Sequence, residues 1–515
     1  MKNKLHITAL LVAVLFATGC DKGFDEINTD PINMISLDPA FILNDAIVNV
    51  TARGGRGYLT QTFTTVQWLV NPFGSNLAGA NYNQWVSNQN NPFGEFFGNA
   101  VPYSVEVVRA TKDDPTRQNL YNAARIWKAY VFQYLTDTYG DIPYFEAGLG
   151  YFERNLTPVY DTQQDIYMDI LKELDEASAS LNPSAEATRG ELLYSGNVSR
   201  WKKFGYSMLL RAAMRLSKID PATAEIYVKK AVAGGLMESN DDNAWFRHTT
   251  EFTNSVGVEH SGLERGGYYA QEAFVEHLRA TNDPRLSVFF HRFLGAGGFS
   301  EQVDAIRTKD PALQIGMPLG YDNQTINDIL DDYGVKSLHD FSQFDWRIFF
   351  MNVSPQFHCT YGQTQLLLAE AIRRGWVTGT DADAATAYEN AVRADMAVLT
   401  KFGSAATVPS VDIDAYVAAH PLDVSSLEAS LKQINEEYWI GSIPNATEAW
   451  ANWRRTDYPK LKPNPYPGSE IPGEFIRRHR YPERESYTNG ANLAQAQSRI
   501  PGGDKMNSRV WWDKQ

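Results

Sequence analysis

The chain has 515 residues, 43% of them hydrophobic, and a formal net charge of −14. That acidic balance argues against nucleic acid and anionic lipid as partners, since both reward clustered Lys and Arg. The length admits two or three domains or one large helical array.

Lys2 and Lys4 precede an apolar run from Leu5 to Ala17, and the run closes on Thr18-Gly19-Cys20. A charged start, a short apolar stretch and small residues before a cut site make a secretory signal. A cut site ending on cysteine makes residues 1–20 a bacterial lipoprotein signal, with Cys20 acylated after cleavage. The run is too short to span a bilayer, which takes about 20 apolar residues. Removing it takes off two lysines and no acids, so the charge becomes −16. Cys359 is then the one cysteine left, and no intrachain disulfide is possible. With His358 beside it but no further Cys or His cluster, it reads as a buried structural cysteine.

Residues 21–37 form an acidic, polar leash, and residues 38–515 the globular body. Asp38-Pro39 opens a helix that runs into the fifties, with a second continuing to about Trp68. From Asn71 to Asn99 Asn-Pro-Phe-Gly occurs twice and no helical period survives, which predicts a long loop. Leu120, Ala123, Trp127, Tyr130 and Tyr134 then share one helical face. Ile166 to Leu181 does the same after a Thr162-x-x-Asp165 start. A third helix carries Trp201, Phe204 and Met208, and Asp220-Pro221 opens a fourth that stops at Gly234-Gly235. Residues 236–358 read as irregular. Helical patterning resumes over 360–375, 383–402, 427–440 and 447–456, and the stretch from Pro459 reads as extended chain wrapping the body. The fold expected is predominantly α, with tetratricopeptide-like helix pairs interrupted by two large irregular inserts that meet in space.

The sequence holds no GxSxG, HExxH, Walker loop or GxGxxG in a supporting context. A glycosidase-like carboxylate pair needs only spatial proximity, which sequence does not give, so a glycan-cleaving enzyme is the weaker alternative. No cofactor or metal is expected. Aromatics are the stronger signal, with 12 Trp, 26 Tyr and 26 Phe. Trp68, Phe73, Tyr82, Trp85, Phe93, Phe96 and Phe97 interleave with Asn71, Asn76, Asn81, Asn83, Asn88 and Asn90. Flat rings flanked by amides match the apolar faces and hydroxyl edges of a saccharide. The bland alternative is a satellite core beneath a loop. The expected platform is Trp68, Tyr82 and Trp85, with Asn71 and Asn88 as hydrogen-bonding neighbours and Arg265, Tyr269 and Tyr321 from the later insert. Arg477 to Arg480, flanked by Glu474, Glu483 and Glu485, reads as a locally paired surface.

Several stretches resemble the SusD/RagB family of surface nutrient-binding lipoproteins of Bacteroidetes. They are Asp137-Thr138-Tyr139-Gly140-Asp141-Ile142-Pro143-Tyr144, Asn282-Asp283-Pro284-Arg285-Leu286, Leu366 to Trp376, Glu448 to Pro459, Arg480-Tyr481-Pro482-x-x-Glu485 with Asn489 and Asn492, and Arg509-Val510-Trp511-Trp512-Asp513. The resemblance implies four tetratricopeptide-like pairs, an outer-membrane, lipid-anchored position facing outward, and no catalysis. It also implies a SusC/RagA-type TonB-dependent transporter as partner and an oligosaccharide, or alternatively an oligopeptide, as ligand. Within the Glu448–Pro459 stretch, Trp450 and Trp453 are expected inside, with Arg454-Arg455 neutralised by acids.

Overall fold

Most of the longer helices start at a side chain that satisfies a free amide of the first turn. The computed structural model describes residues 37–51, 62–73, 82, 92–257 and 267–514. Asp38 opens α1 (Pro39–Thr51), accepting from the Ala40 amide at 2.9 Å. After α2 (Val101–Thr111) and α3 (Gln118–Tyr139), Thr162 caps α4 (Gln163–Ser180) through the Asp165 amide at 3.2 Å. Asn197 caps α5 (Val198–Arg215), and Asp220 caps α6 (Pro221–Gly234), which ends at Gly235 with φ +99°. A capping box of Thr360 and Gln363 starts α8 (Tyr361–Arg373), which follows the short α7 (Glu272–Ala280). The chain continues through α9 (Asp381–Val398), α10 (Ser410–Ala419), α11 (Leu427–Gly441), α12 (Ala446–Thr456) and α13 (Gly490–Ser498).

Four helix pairs result: α3 with α4, α5 with α6, α8 with α9, and α11 with α12. Neighbouring pairs join as α4 meets α5 and α8 meets α11, so one apolar cluster runs from Ala40 to Trp512. A smaller cluster, Val70, Tyr269, Met317, Ile326, Val335, Leu338 and Phe341, lies under the inserts.

Those inserts carry more regular structure than their composition suggests. Residues 92–100 are helical and lead directly into α2, with Phe93, Phe96 and Ala100 buried on one face. Residues 64–67 form a turn, Gln67 has φ +58°, and the chain enters a strand at Leu69 rather than continuing as helix to Trp68. The strands are β1 (Leu69–Val70), β2 (Ile142–Pro143), β3 (Tyr160–Asp161), β4 (Ala244–Phe246), β5 (Tyr269–Ala270), β6 (Phe290–Phe293), β7 (Arg307–Thr308), β8 (Gln343–Phe344) and β9 (Gln356–Cys359). Five of them form a sheet in the order β1-β5-β8-β6-β7. The closing stretch is extended only to Pro482 and then turns into two helices, Glu483–Thr488 and α13.

The interior is charged as well as apolar. Arg215 on α5 reaches Asp137 on α3 at 3.2 Å and Glu448 on α12 at 2.6 Å, and the Trp512 indole donates to Asp137 at 2.9 Å. Arg455 forks onto Glu370 of α8 at 2.6 and 2.7 Å. Burial would push the Glu370 carboxyl up, but Arg455 and Arg374 beside it bring it down to about 2. Arg285 binds Asp283 at 2.5 Å and Glu437 at 2.8 Å. Trp450 and Trp453 are buried as expected, but Arg454 has no ion-pair partner among the described residues. Its guanidinium lies 3.9 Å from the Trp450 ring and 4.8 Å from the Trp512 ring, and donates to the Arg477 carbonyl at 2.8 Å. Arg477 and Arg478 are buried too, and they pair with Asp513 and Asp504 rather than with the flanking glutamates. Cys359 is buried, and burial raises its thiol pKa.

Asp395 on α9 is the exception among the buried acids. Its carboxyl has no hydrogen-bond partner among the described residues and sits between two helix backbones. A Cβ on Gly362 would meet its Oδ1 at 1.9 Å, and one on Gly441 its Oδ2 at 2.1 Å, so only glycine admits it there. Burial raises its pKa from 3.8 to about 8. Between pH 4 and 8 the folded state therefore holds a proton that the unfolded chain releases. Stability from this group is fully present below pH 4 and falls by about 1.4 kcal/mol per pH unit up to pH 8. Asp395→Asn is expected to flatten that slope. In denaturant titrations the variant should exceed wild type at pH 8 by a margin that closes towards pH 4; parallel pH profiles would contradict it.

Candidate ligand-binding face

The first insert supplies β1 and the second supplies β5 to β8, and the two meet through backbone pairing. Leu69 faces Ala270 and Val70 faces Tyr269 across antiparallel strands, and the Asn323 amide donates to the Pro72 carbonyl at 2.8 Å. Strands of two residues make few ladder bonds, so side-chain burial fixes their register.

That burial corrects much of the expected platform. Trp68 is fully buried, with Phe63 at 5.4 Å and Phe274 and Trp439 each at 6.4 Å between ring centroids. Asn71 is also fully buried, and its Oδ1 accepts from the Phe73 amide at 3.0 Å to set a local turn. Tyr82 is buried with its hydroxyl on the Gln67 amide at 2.9 Å. Tyr269 is buried as well, its hydroxyl 3.2 Å from His339 Nδ1. None of these four presents a face to a ligand; they form the floor. Tyr321 is half-buried against the smaller cluster. Trp85, Asn88 and Arg265 lie outside the described residues, as does Cys20.

Above this floor lies an aromatic group from both inserts. Phe73 stacks on Phe299 with centroids 6.0 Å apart, and Phe299 meets the His339 ring at 4.2 Å. Phe299 is 48% exposed, and Phe73 and His339 are half-buried. Burial lowers the His339 pKa, so the ring is neutral at pH 7. Half-buried Tyr466 donates to Asp322 at 3.1 Å, while Lys336 is paired with Glu301 at 2.9 Å. The Asn323 side-chain amide has no hydrogen-bond partner among the described residues. Flat neutral rings beside an uncommitted amide and a tyrosine suit a ligand with apolar faces and polar edges. Phe73 was legible as part of the aromatic run. Phe299 and His339 stand more than 200 residues further on, and only the sheet brings them to it.

Among the described residues no cluster of three His, Cys, Asp or Glu side chains is arranged to hold a metal ion, and no helix is long and apolar enough to cross a membrane. Residues 31–482 match the model of a family described as "SusD-like_2: Starch-binding associating with outer membrane". The chain belongs to the SusD-like family. A solved structure titled as a chitin-binding protein is 32% identical, with a TM-score of 0.80 over 93% of this chain and 100% of its own. A Bacteroidetes SusD-like protein, AC2a, is 26% identical with a TM-score of 0.77 and the same coverage. A chitin-binding SusD homologue from Flavobacterium johnsoniae, 23% identical over 92% of this chain and 98% of its own, shares the fold at a TM-score of 0.70. No curated protein matches the chain.

In this SusD-like chain the floor and the exposed rings should separate under mutation. Trp68→Ala removes a fully buried indole and is expected to cost about 3–5 kcal/mol, whereas Phe299→Ala should stay within about 1 kcal/mol of wild type. Chemical denaturation of both variants checks this; equal losses would place Phe299 in the core.

Proposed function

We propose that this SusD-like protein is a non-catalytic glycan-capture lipoprotein. It binds a neutral oligosaccharide at the Phe73–Phe299–His339 face and passes it to a TonB-dependent outer-membrane transporter of the SusC/RagA type. The observation that carries the reading is the exposed, uncharged ring group where the two inserts meet. The family's description and the names of two similar structures, starch-binding and chitin-binding, supply the substrate class. Trp85, Asn88 and Arg265 are proposed as further ligand contacts on the strength of their aromatic, amide and cationic side chains alone. Tyr321 lines it from the second insert.

An open face desolvates a ligand only in part, so affinity is set by ring stacking and a few oriented hydrogen bonds. The expected range is on the order of micromolar to millimolar. Release at that strength is fast, which suits handover to a transporter. Acylated Cys20 holds the protein at the outer membrane, and the leash 21–37 lets the body reach its partner. No step of this role needs a catalytic group.

Calorimetric titration of the full chain with maltohexaose and chitohexaose tests the reading. One of the two should bind, and Phe299→Ala and Trp85→Ala should each weaken it by about ten-fold without lowering the melting temperature, a loss in the range of one aromatic contact. Binding of oligopeptides and of neither sugar would transfer the site to the peptide alternative. Cys20→Ala should move the protein out of the membrane fraction; unchanged partitioning would rule out the lipid anchor.

A further inference from the structure

A second concave site lies away from the ring face and shares no residue with it. It is a cleft of ≈ 860 Å³ between the end of α3, the start of α4 and the C-terminal stretch 499–514. The stretch lies beyond residue 482, where the family match ends. A volume of this size falls within the roughly 300–1,000 Å³ typical of ligand clefts.

The charge of its walls runs against that of the chain. Arg478, Arg499, Lys505, Arg509 and Lys514 line it, against two carboxylates, Asp141 and Asp513. Three of the cations are already engaged. Arg499 holds Asp141 at 2.6 Å, Arg509 holds Asp513 at 2.6 Å, and Arg478 pairs with Asp504 behind the wall. The side chains of Lys505 and Lys514 are exposed and have no partner among the described residues. Two lysines with no ion-pair partner among the described residues therefore line one cleft in a protein of net charge −14. The half-buried Trp511 indole also lines the cleft, 6.4 Å from the Tyr167 ring, and exposed Gln164 offers an amide at its edge.

We propose that this cleft is a second binding site, for the acidic unit of a saccharide, whose carboxylate or sulfate ester lies between Lys505 and Lys514 while a ring face packs on Trp511. The sugar part of the ligand rests on the glycan reading of the protein; the anionic part stands on the cleft alone. A phosphorylated polymer such as nucleic acid would also need a basic surface around the cleft, and the overall charge opposes it.

The test uses the full chain and four probes in calorimetry: trigalacturonate, which carries only carboxylates, a carrageenan tetrasaccharide carrying sulfate esters and no uronate, and the neutral oligosaccharides maltohexaose and chitohexaose. At least one acidic probe should bind, more weakly as salt is raised from about 20 to 300 mM, because exposed charges are screened. Comparison of the two acidic probes tells uronate from sulfate. The double variant K505E/K514E should lower that affinity by at least about ten-fold. Trp511→Ala should weaken it further, and Phe299→Ala should leave it unchanged. The proposal is overturned if neither acidic probe binds, if the charge reversal has no effect, or if Phe299→Ala abolishes the binding instead. Absence of binding by both neutral sugars, with acidic binding intact, would sink the ring-face reading and leave this one standing.

Discussion

The arrangement of helices depends on charges that have been taken out of water. Arg215 sits on α5 but its partners are on α3 and α12, and none of the three residues is near another in sequence. Removing one member of such a group leaves an ion stranded in the interior, which costs about 3–5 kcal/mol. An apolar contact tolerates a slide of one helix along another; a forked guanidinium with two carboxylates does not. Arg455 with Glu370 and Arg285 with Glu437 repeat the device between α12 and α8 and between the second insert and α11. Helix pairs that would otherwise stack by ridges and grooves alone are thereby locked in one relative position.

This also gives the family-like stretches of the sequence a physical meaning. Asp137, Glu370, Glu448, Arg455 and Arg285 all fall inside them, and all are buried. Arg478, two residues before the Arg480–Glu485 stretch, is buried too, and its guanidinium donates to the Tyr139 carbonyl at 2.8 Å. These stretches are joints of the body. The proposed ligand face lies elsewhere, on the two inserts.

The difference explains what could be read in advance. Helices announce themselves through period and caps, so Asp38, Thr162 and Asp220 marked their boundaries. The helix over residues 92–100 was hidden because Gly94, Gly98 and Asn99 diluted a face made by Phe93, Phe96 and Ala100. The sheet was hidden for another reason: strands of two to four residues show no alternation to count. Trp68 shows where composition misleads. Aromatic residues among asparagines look like a sugar platform, but the turn at Gln67 aims the indole inward onto Phe63 and Phe274. Position in a run says nothing about direction, and a one-residue shift in a strand exchanges floor for surface.

Rigid joints and adaptable inserts then divide the work. A binding face built on short strands has few backbone bonds of its own, so its precision must come from what lies beneath it. Here the floor is Trp68, Asn71, Tyr82 and Tyr269, anchored on Phe274 and Trp439 of the helical body. Tyr269 links the layers directly, since its ring belongs to the buried cluster and its hydroxyl holds His339 at the surface. On the proposed reading, a substitution in the upper layer alters recognition at little cost to folding. One at Tyr269 would release His339, and one at Asn71 would free the turn that carries Phe73. Of the residues that looked most like ligand contacts in the sequence, Asn71 and Tyr269 instead hold the ring group in place, through the Phe73 amide and the His339 ring.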